Sequence, residues 1–121
     1  MSDCVFCDIV AGKSPATYVM QGEGAIGIVP INPVTPGHVL FIPKIHVTDF
    51  AQVPVVSGKL VELAAAWWRG PGGGGPVNMI TSRGREATQS VFHLHIHLVP
   101  RAKDDGLALP WYSGKGNHGV S

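Results

Sequence analysis

Apolar and polar residues alternate strictly near the end of the chain, in the segment HLHIHLVPR that begins at His93. Successive side chains of a β-strand point to opposite faces, so this alternation predicts a strand over residues 91–99. The face directed to the core would carry four apolar residues, Phe92, Leu94, Ile96 and Leu98. The opposite face would carry the three histidines, His93, His95 and His97.

A second, longer period is found in the middle of the chain, in PVVSGKLVELAAAWWRG. Apolar residues recur there at i, i+3, i+4 and i+7, which predicts a helix over residues 54–70 with one apolar stripe formed by Leu60, Leu63, Ala64 and Trp67. Short apolar runs predict further strands at residues 17–20, 25–29, 38–42 and 77–81. Strands before and after one main helix predict an α+β fold with an antiparallel sheet.

The chain of 121 residues is long enough for one domain with its own core, so we expect a single domain over residues 1–121. Residues 1–16 form an N-terminal segment with a Cys-x-x-Cys motif, and residues 100–121 form an irregular tail with an apolar patch at 107–111. Nine basic and eight acidic residues give a net charge of +1, too little to favour nucleic acid or a membrane surface as a partner. Neither a secretion signal nor a membrane span is predicted, so we expect a cytoplasmic protein.

The only cysteines, Cys4 and Cys7, are separated by two residues. In a reducing compartment such a pair indicates half of a metal site or a redox pair more often than a disulfide. No βαβ pattern follows, which argues against a thioredoxin-like protein. Two thiolates need two further ligands to complete a tetrahedral zinc site, and histidines could supply them. The alternative is a pair of ordinary small side chains.

The histidine triplet is better suited to proton and phosphorus chemistry than to one shared metal ion. Three rings spread over ~13 Å of straight strand do not converge on a single point. If all three were charged, neighbours ~6.6 Å apart would repel by about 2.5 kcal/mol at a dielectric of 20, so their titrations must couple. A row of such rings offers a nucleophile beside a proton donor, which suits attack on a phosphorus atom. The Gly-rich segment 70–76 lacks the Gly-Lys-Ser/Thr of a phosphate-binding loop and is interpreted as a flexible link.

Three segments, in order, resemble the motifs of the histidine triad (HIT) family: CVFCDIVAGKSPA, INPVTPGHVLFIPKIH and QSVFHLHIHLVPR. The resemblance implies a small α+β domain whose antiparallel sheet continues into that of a second copy in a homodimer. It also implies hydrolysis or nucleotidyl transfer at the α-phosphate of a nucleotide, of the phosphoramidase kind. No catalytic cofactor is expected for this chemistry.

The same resemblance assigns roles to individual residues. His95 is implied to be the nucleophile, which forms a covalent nucleotidyl-histidine, and His97 to contact the phosphate and assist the leaving group. His38 is implied to lie beside them on a neighbouring strand. Gln89 and Ser90 match positions that hydrogen-bond the phosphate or the leaving group.

Members of the family with a Cys-x-x-Cys motif hold a structural zinc ion, and the matching positions in this chain are Cys4, Cys7, His46 and His93. Two cysteines and two histidines complete a tetrahedral set, which leaves no open position for substrate.

The substrate is expected to be a purine nucleotide or a related phosphate compound, although four positions depart from the family pattern. Pro30 stands where nucleoside-binding members carry an acidic residue that grips the ribose hydroxyls, and Ser82 replaces a frequent asparagine. Arg83 and Arg85 suggest additional contacts with an anion, or simply a solvated loop.

Other interpretations of the function stay open at this point. Hydrolysis of a dinucleoside polyphosphate would use the same nucleophile with a longer leaving group. A non-catalytic nucleotide-binding protein would have no physical reason to keep His38, His95 and His97. A zinc-containing interaction module would explain the cysteines but would leave His95 and His97 without a role.

Overall fold

A computed structural model describes residues 3–116, so the last five residues of the predicted tail lie outside the described part. The elements in chain order are α1 (Val5–Val10), β1 (Thr17–Gln21), β2 (Ala25–Val29), β3 (Val39–Pro43), α2 (Pro54–Arg69), β4 (Val77–Ile80) and β5 (Ile96–Pro100), with one 3-10 turn at Arg85–Ala87. The five strands form one antiparallel sheet in the order β1-β2-β3-β5-β4. The predicted α+β fold with one main helix is therefore confirmed.

The two faces of the sheet are covered by different helices. On β3, Val39 and Phe41 face α2, whereas Leu40 and Ile42 face the side on which α1 packs. Helix α2 begins with Pro54, whose fixed φ suits a first helical turn.

The predicted apolar stripe of α2 is only partly buried. Leu60 and Ala64 are in the core, and the ring of Trp67 packs 5.5 Å from that of Phe41. Leu63 was placed in this stripe incorrectly, since 41% of its surface stays exposed. It lies beyond the edge of the sheet-facing side.

The strand that carries the histidines is shorter than predicted. Its ladder with β3 ends at Phe41 opposite Ile96, and its ladder with β4 ends at Ile80 opposite His97. Residues 91–95 therefore lack a strand partner and bend, which breaks the alternation of faces. For that reason Phe92 is 36% exposed and is not the core residue that the pattern predicted, while Leu94, Ile96 and Leu98 are buried.

A half-buried ion pair between Arg101 and Asp105 attaches the tail to the sheet. Arg101 donates to both carboxylate oxygens of Asp105 at 2.7 and 2.9 Å, to the side chain of Asn78 at 2.6 Å and to the carbonyl of Leu107 at 2.6 Å. Two parallel N–H···O bonds give this pair a fixed geometry. Among the helices of residues 3–116, none combines the length and the apolar character that crossing a membrane requires.

Candidate catalytic and metal sites

Three histidines from two separate segments meet at one end of the sheet. His38 directly precedes β3 and His97 lies in β5, and the pairing of Leu40 with His97 brings these segments side by side. His38 Nε2 is 3.0 Å from His97 Nδ1. The ring of His95 lies 5.2 Å from that of His97. The structure thus assembles the three residues predicted to be catalytic, although His38 and His95 lie just outside the strands.

Backbone groups determine which nitrogen of His38 and of His97 carries the hydrogen. The N–H of Val34 can only donate, and it lies 3.1 Å from His38 Nδ1, which must therefore accept. In the neutral ring the hydrogen is then on His38 Nε2, which donates to His97 Nδ1. His97 consequently carries its own hydrogen on Nε2. This chain of bonds makes His97 Nε2 a hydrogen-bond donor.

His95 is held in the opposite tautomer. Its Nδ1 lies 2.9 Å from the carbonyl oxygen of His93, which can only accept, so the hydrogen must be on Nδ1. The lone pair is then on Nε2. The ring of Phe6 packs edge-on against His95 at 5.1 Å, and the hydroxyl of Thr81 donates to the His95 carbonyl at 2.7 Å. A nucleophilic nitrogen on His95 and a donor on His97 are therefore neighbours.

Burial keeps these rings neutral at physiological pH. It lowers the pKa of His38 and of His95 below the ordinary value of 6.5. Burial, together with repulsion from His95 and His38, lowers the pKa of His97 to about 4. A neutral imidazole retains the lone pair that nucleophilic attack requires.

The low pKa of His97 predicts a loss of stability in acid. Below pH 6.5 the unfolded chain binds a proton at residue 97, whereas the folded protein does so only near pH 4. The contribution of this group to the free energy of unfolding is complete above pH 6.5 and falls by about 2 kcal/mol by pH 5. Urea denaturation at pH 8 and at pH 5 measures the loss.

The matched variant for this prediction is His97→Asn, which cannot ionise but still offers an acceptor to His38. His38, His93 and His95 contribute in the same direction to both proteins, so the difference between the proteins reports residue 97 together with its repulsion of His38 and His95. Between pH 8 and pH 5 we expect the free energy of unfolding of the variant to fall by about 2 kcal/mol less than that of the wild type. Equal losses would show that His97 is not kept neutral by the fold.

The loop over residues 82–90 carries the predicted substrate contacts. Gln89 is buried, and its amide donates to the carbonyls of Thr48 and Val91 at 2.7 and 3.1 Å and accepts from Gly84 N–H at 2.8 Å. Both hydrogens of the side-chain amide are thus bonded to backbone carbonyls, and Gln89 holds the loop against the residues around Thr48. Thr88 has a left-handed φ of 71°, which is unusual for a β-branched residue and indicates that these anchors hold the loop firmly. A phosphate contact by Gln89 stays a prediction.

The remaining loop residues lie at or near the surface. Arg83 is exposed, and its Nε lies 3.4 Å from a carboxylate oxygen of the buried Asp49. The guanidinium of Arg85 lies 5.4 Å above the ring of Phe92. Ser90 borders a groove of about 610 Å³, and Ser82 is half-buried just after β4. Their substrate contacts remain predictions.

The four predicted metal ligands converge on one point. Their ligand atoms all lie within 4.8 Å of one another, and we call Cys4, Cys7, His46 and His93 the Cys2His2 cluster. His93 Nδ1 is 3.4 Å from Cys4 Sγ, 3.5 Å from Cys7 Sγ and 3.0 Å from His46 Nδ1. Ligands at zinc-like bond lengths around a tetrahedral ion are about 3.3 to 3.8 Å apart, so the cluster fits a metal ion of this kind.

The surroundings of His93 favour its metal-binding form, whereas those of Cys7 disfavour the thiolate. His93 Nε2 lies 2.8 Å from the carbonyl of Pro43 and must donate to it, which leaves the Nδ1 lone pair directed at the cysteines. Burial lowers the pKa of His93 and so favours the neutral, ligating imidazole. Burial and the neighbouring Cys4 raise the pKa of the Cys7 thiol, and a cation bound in the cluster would oppose this shift by stabilising the thiolate.

Sequence reasoning missed the groups that set the histidine tautomers. The N–H of Val34 and the carbonyls of Pro43 and His93 are backbone atoms, which leave no signal in a sequence. The contact of Phe6 with His95 also joins residues that are far apart in the chain.

Comparisons with known proteins agree with this geometry. The family model of the HIT domain matches residues 11–104. The chain is 34% identical over 122 residues to Protein hit of Bacillus subtilis, with 90% of this chain and 79% of that protein covered. It is 31% identical to adenylylsulfatase HINT3 of Arabidopsis thaliana, with 88% of this chain covered but only 56% of the plant protein, a little over half its length. Among solved structures, a HIT family hydrolase from Clostridium thermocellum has a TM-score of 0.76 at 33% identity and covers 84% of this chain and 93% of its own.

Proposed function

Because the chain belongs to the HIT domain family, we propose that it is a nucleotide hydrolase of the phosphoramidase kind that forms a covalent intermediate on His95. The observation that carries this proposal is the pair of tautomers imposed by the backbone. They place a lone pair on His95 Nε2 and a hydrogen on Nε2 of the neighbouring His97. The absence of charge on either ring at neutral pH follows from their lowered pKa values.

The reaction would proceed in two displacements at the α-phosphorus. His95 Nε2 attacks, the P–N bond breaks, and its electron pair stays with the leaving nitrogen, which takes up a proton from water while the Nε2 hydrogen of His97 donates a hydrogen bond to the phosphate or the leaving group. Water then cleaves the bond between phosphorus and His95 and returns one proton to solvent. The products are a nucleoside monophosphate and an amine, or ammonia if the phosphoramidate is unsubstituted.

The experiment that tests this proposal is the turnover of adenosine 5′-phosphoramidate by the purified protein. We expect release of AMP and ammonia without any added cofactor. Absence of turnover by folded protein would overturn the proposal and would direct attention to Pro30, the half-buried residue after β2 at the position of the expected ribose-binding acid. The purine nucleoside is part of the same proposal, and a comparison of adenosine with cytidine phosphoramidates measures it.

A second candidate is hydrolysis of a nucleotide with an anionic leaving group. The exposed Arg83 and Arg85, on the loop that leads into the histidines, favour it. The Arabidopsis relative bears the name adenylylsulfatase, and a dinucleoside polyphosphate also has a charged leaving group. Values of kcat/KM for adenosine phosphoramidate, adenylylsulfate and diadenosine triphosphate separate these candidates. If Arg85→Ala lowers kcat/KM only for adenylylsulfate and diadenosine triphosphate, the arginine contacts the leaving group.

We also propose that the ion in the Cys2His2 cluster is zinc, because two thiolates and two imidazoles are the donors that a structural zinc ion prefers. Two thiols that are not joined in a disulfide are consistent with the cytoplasm as the proposed compartment.

A homodimer is proposed through β4, which is one of the two terminal strands of the sheet. Met79 and Ile80 on this strand are 41% and 39% exposed, and Leu63 on α2 is also exposed. Pairing two copies along this edge would bury these side chains and satisfy the open backbone groups of the strand. Sedimentation velocity at micromolar concentration is expected to give the mass of a dimer, and Ile80→Lys should shift it to that of a monomer. The mass of a monomer for the wild-type protein would contradict the proposed dimer.

A further inference from the structure

Given the proposed role of His95 as nucleophile, we propose that the Cys2His2 cluster positions the His95 ring as well as stabilising the fold. Two residues make this connection. His93 is itself one of the four ligands, and Phe6 lies between the ligands Cys4 and Cys7 in the sequence. They act as positioning residues, because each orients the ring of His95.

His93 connects the cluster to His95 because its side chain lies in the cluster and its backbone carbonyl bonds to His95. Its side chain is completely buried, with Nδ1 directed into the cluster and Nε2 bonded to the carbonyl of Pro43. Its carbonyl oxygen accepts the Nδ1 hydrogen of His95 at 2.9 Å. A metal ion on His93 Nδ1 would therefore fix the same residue whose carbonyl selects the tautomer of His95.

The sheet gives this part of the chain little support. Within the described residues, the ladder of β5 begins at Ile96, so His93 and His95 precede it. The N–H of Leu94, which shares a planar peptide unit with the His93 carbonyl, bonds to the carbonyl of Val47 at 2.7 Å and so helps to fix the direction of the His93 carbonyl. Val47 directly follows His46 of the cluster, so this bond also depends on a residue beside a metal ligand. The cluster and Pro43 are the two anchors of that side chain.

Phe6 provides a second connection. It lies between Cys4 and Cys7 at the start of α1, and its ring packs edge-on to His93 at 5.9 Å and to His95 at 5.1 Å. A metal ion that joins both cysteines to His93 would hold α1, and with it the Phe6 ring, against His95. Without the ion, the four ligands lose their common partner and both connections loosen.

A consequence is that metal binding should change the tautomer of His95 but not the tautomers of His38 and His97. When its anchor loosens, the His95 ring can rotate and carry its hydrogen on either nitrogen, so a smaller fraction has the lone pair on Nε2. The tautomers of His38 and His97 depend on the N–H of Val34, in the loop before β3, and not on the cluster. These two rings are an internal control.

The test is two-bond 15N–1H NMR of the histidine side chains at pH 8, during titration of zinc into metal-free protein. We expect the zinc-loaded protein to show His95 with its hydrogen on Nδ1, and the metal-free protein to show an average of both tautomers. His38 and His97 should show the same tautomers in both states. A corresponding fall in kcat of about three- to tenfold, with KM nearly unchanged, is expected because orientation of the nucleophile affects the chemical step.

Variants separate positioning from general loss of fold, which circular dichroism monitors in each case. His46→Ala removes an exposed ligand that does not touch His95, and His46→Cys retains four donors and should restore both zinc binding and the tautomer. Phe6→Leu keeps every ligand, so it should bind zinc normally and still shift the His95 tautomer part of the way. This variant also serves if the metal-free protein unfolds.

Two results would overturn the proposal: failure of the protein to take up zinc, or a His95 tautomer that stays the same in folded metal-free protein and in Phe6→Leu. The NMR measurement needs no substrate and is therefore independent of the proposed activity. A tautomer that responds to zinc in a protein without phosphoramidase activity would contradict the proposed function alone. Phosphoramidase activity with an unresponsive tautomer would contradict the positioning role alone.

Discussion

Replacement of His95 by alanine is expected to lower kcat for adenosine 5′-phosphoramidate by at least about 10³-fold, equivalent to about 4 kcal/mol of transition-state stabilisation. The reason is that Nε2 of His95 has the lone pair available for attack, since its Nδ1 hydrogen is bonded to the His93 carbonyl. In His97 the corresponding nitrogen carries a hydrogen and cannot attack. Steady-state release of AMP by the two proteins measures the effect.

Two controls separate chemistry from folding in this experiment. Lys59→Ala, at an exposed position of α2, should retain wild-type activity. His95→Gly should recover part of the lost activity when imidazole is added, because the free ring can occupy the vacated space and attack in place of the side chain. Activity of His95→Ala within tenfold of the wild type would show that another group is the nucleophile.

Replacement of Cys4 by serine is expected to lower the free energy of unfolding by about 4 kcal/mol, the stabilisation given by a ligand present at 1,000 times its dissociation constant. Serine is the informative substitution because Cys4 Sγ also accepts the N–H of Cys7 at 3.3 Å as the N-cap of α1. A serine hydroxyl can cap the helix equally well, so the loss reports the metal rather than the cap. Thermal unfolding should show a decrease in Tm of more than about 10 °C.

A chelator provides the matched comparison. EDTA should lower the Tm of the wild type to nearly that of Cys4→Ser and should leave the variant unchanged, because the variant has lost the site on which the chelator acts. Zinc released on denaturation, measured colorimetrically, should be one equivalent per wild-type chain and close to none for Cys4→Ser. A wild-type Tm that does not respond to EDTA, in protein without bound metal, would contradict the zinc proposal.

The hydrophobic pattern predicted secondary structure correctly where residues close in sequence determine it. The helical period of α2 and the apolar runs of β1 to β3 predicted elements that the structure places within one or two residues. The prediction was wrong where it depended on a partner strand. Alternation alone extended the last strand back to residue 91, but the ladders with β3 and β4 end near residue 96, and Phe92 is therefore exposed. Whether a strand continues is decided by the chain beside it.

The sequence by itself determined the donor types and the family. Histidine at every second position, together with two cysteines near the start, provides imidazole and thiol groups that can act as nucleophiles, proton donors or metal ligands. Only the tertiary structure decided the role of each ring. Val34 N–H and the carbonyls of Pro43 and His93 place the hydrogen on different nitrogens of His38, His93 and His95. Identical imidazoles thus carry the hydrogen and the lone pair on different nitrogens because the folded backbone presents each with a different hydrogen-bonding partner, and the proposed roles of donor, ligand and nucleophile follow from these differences.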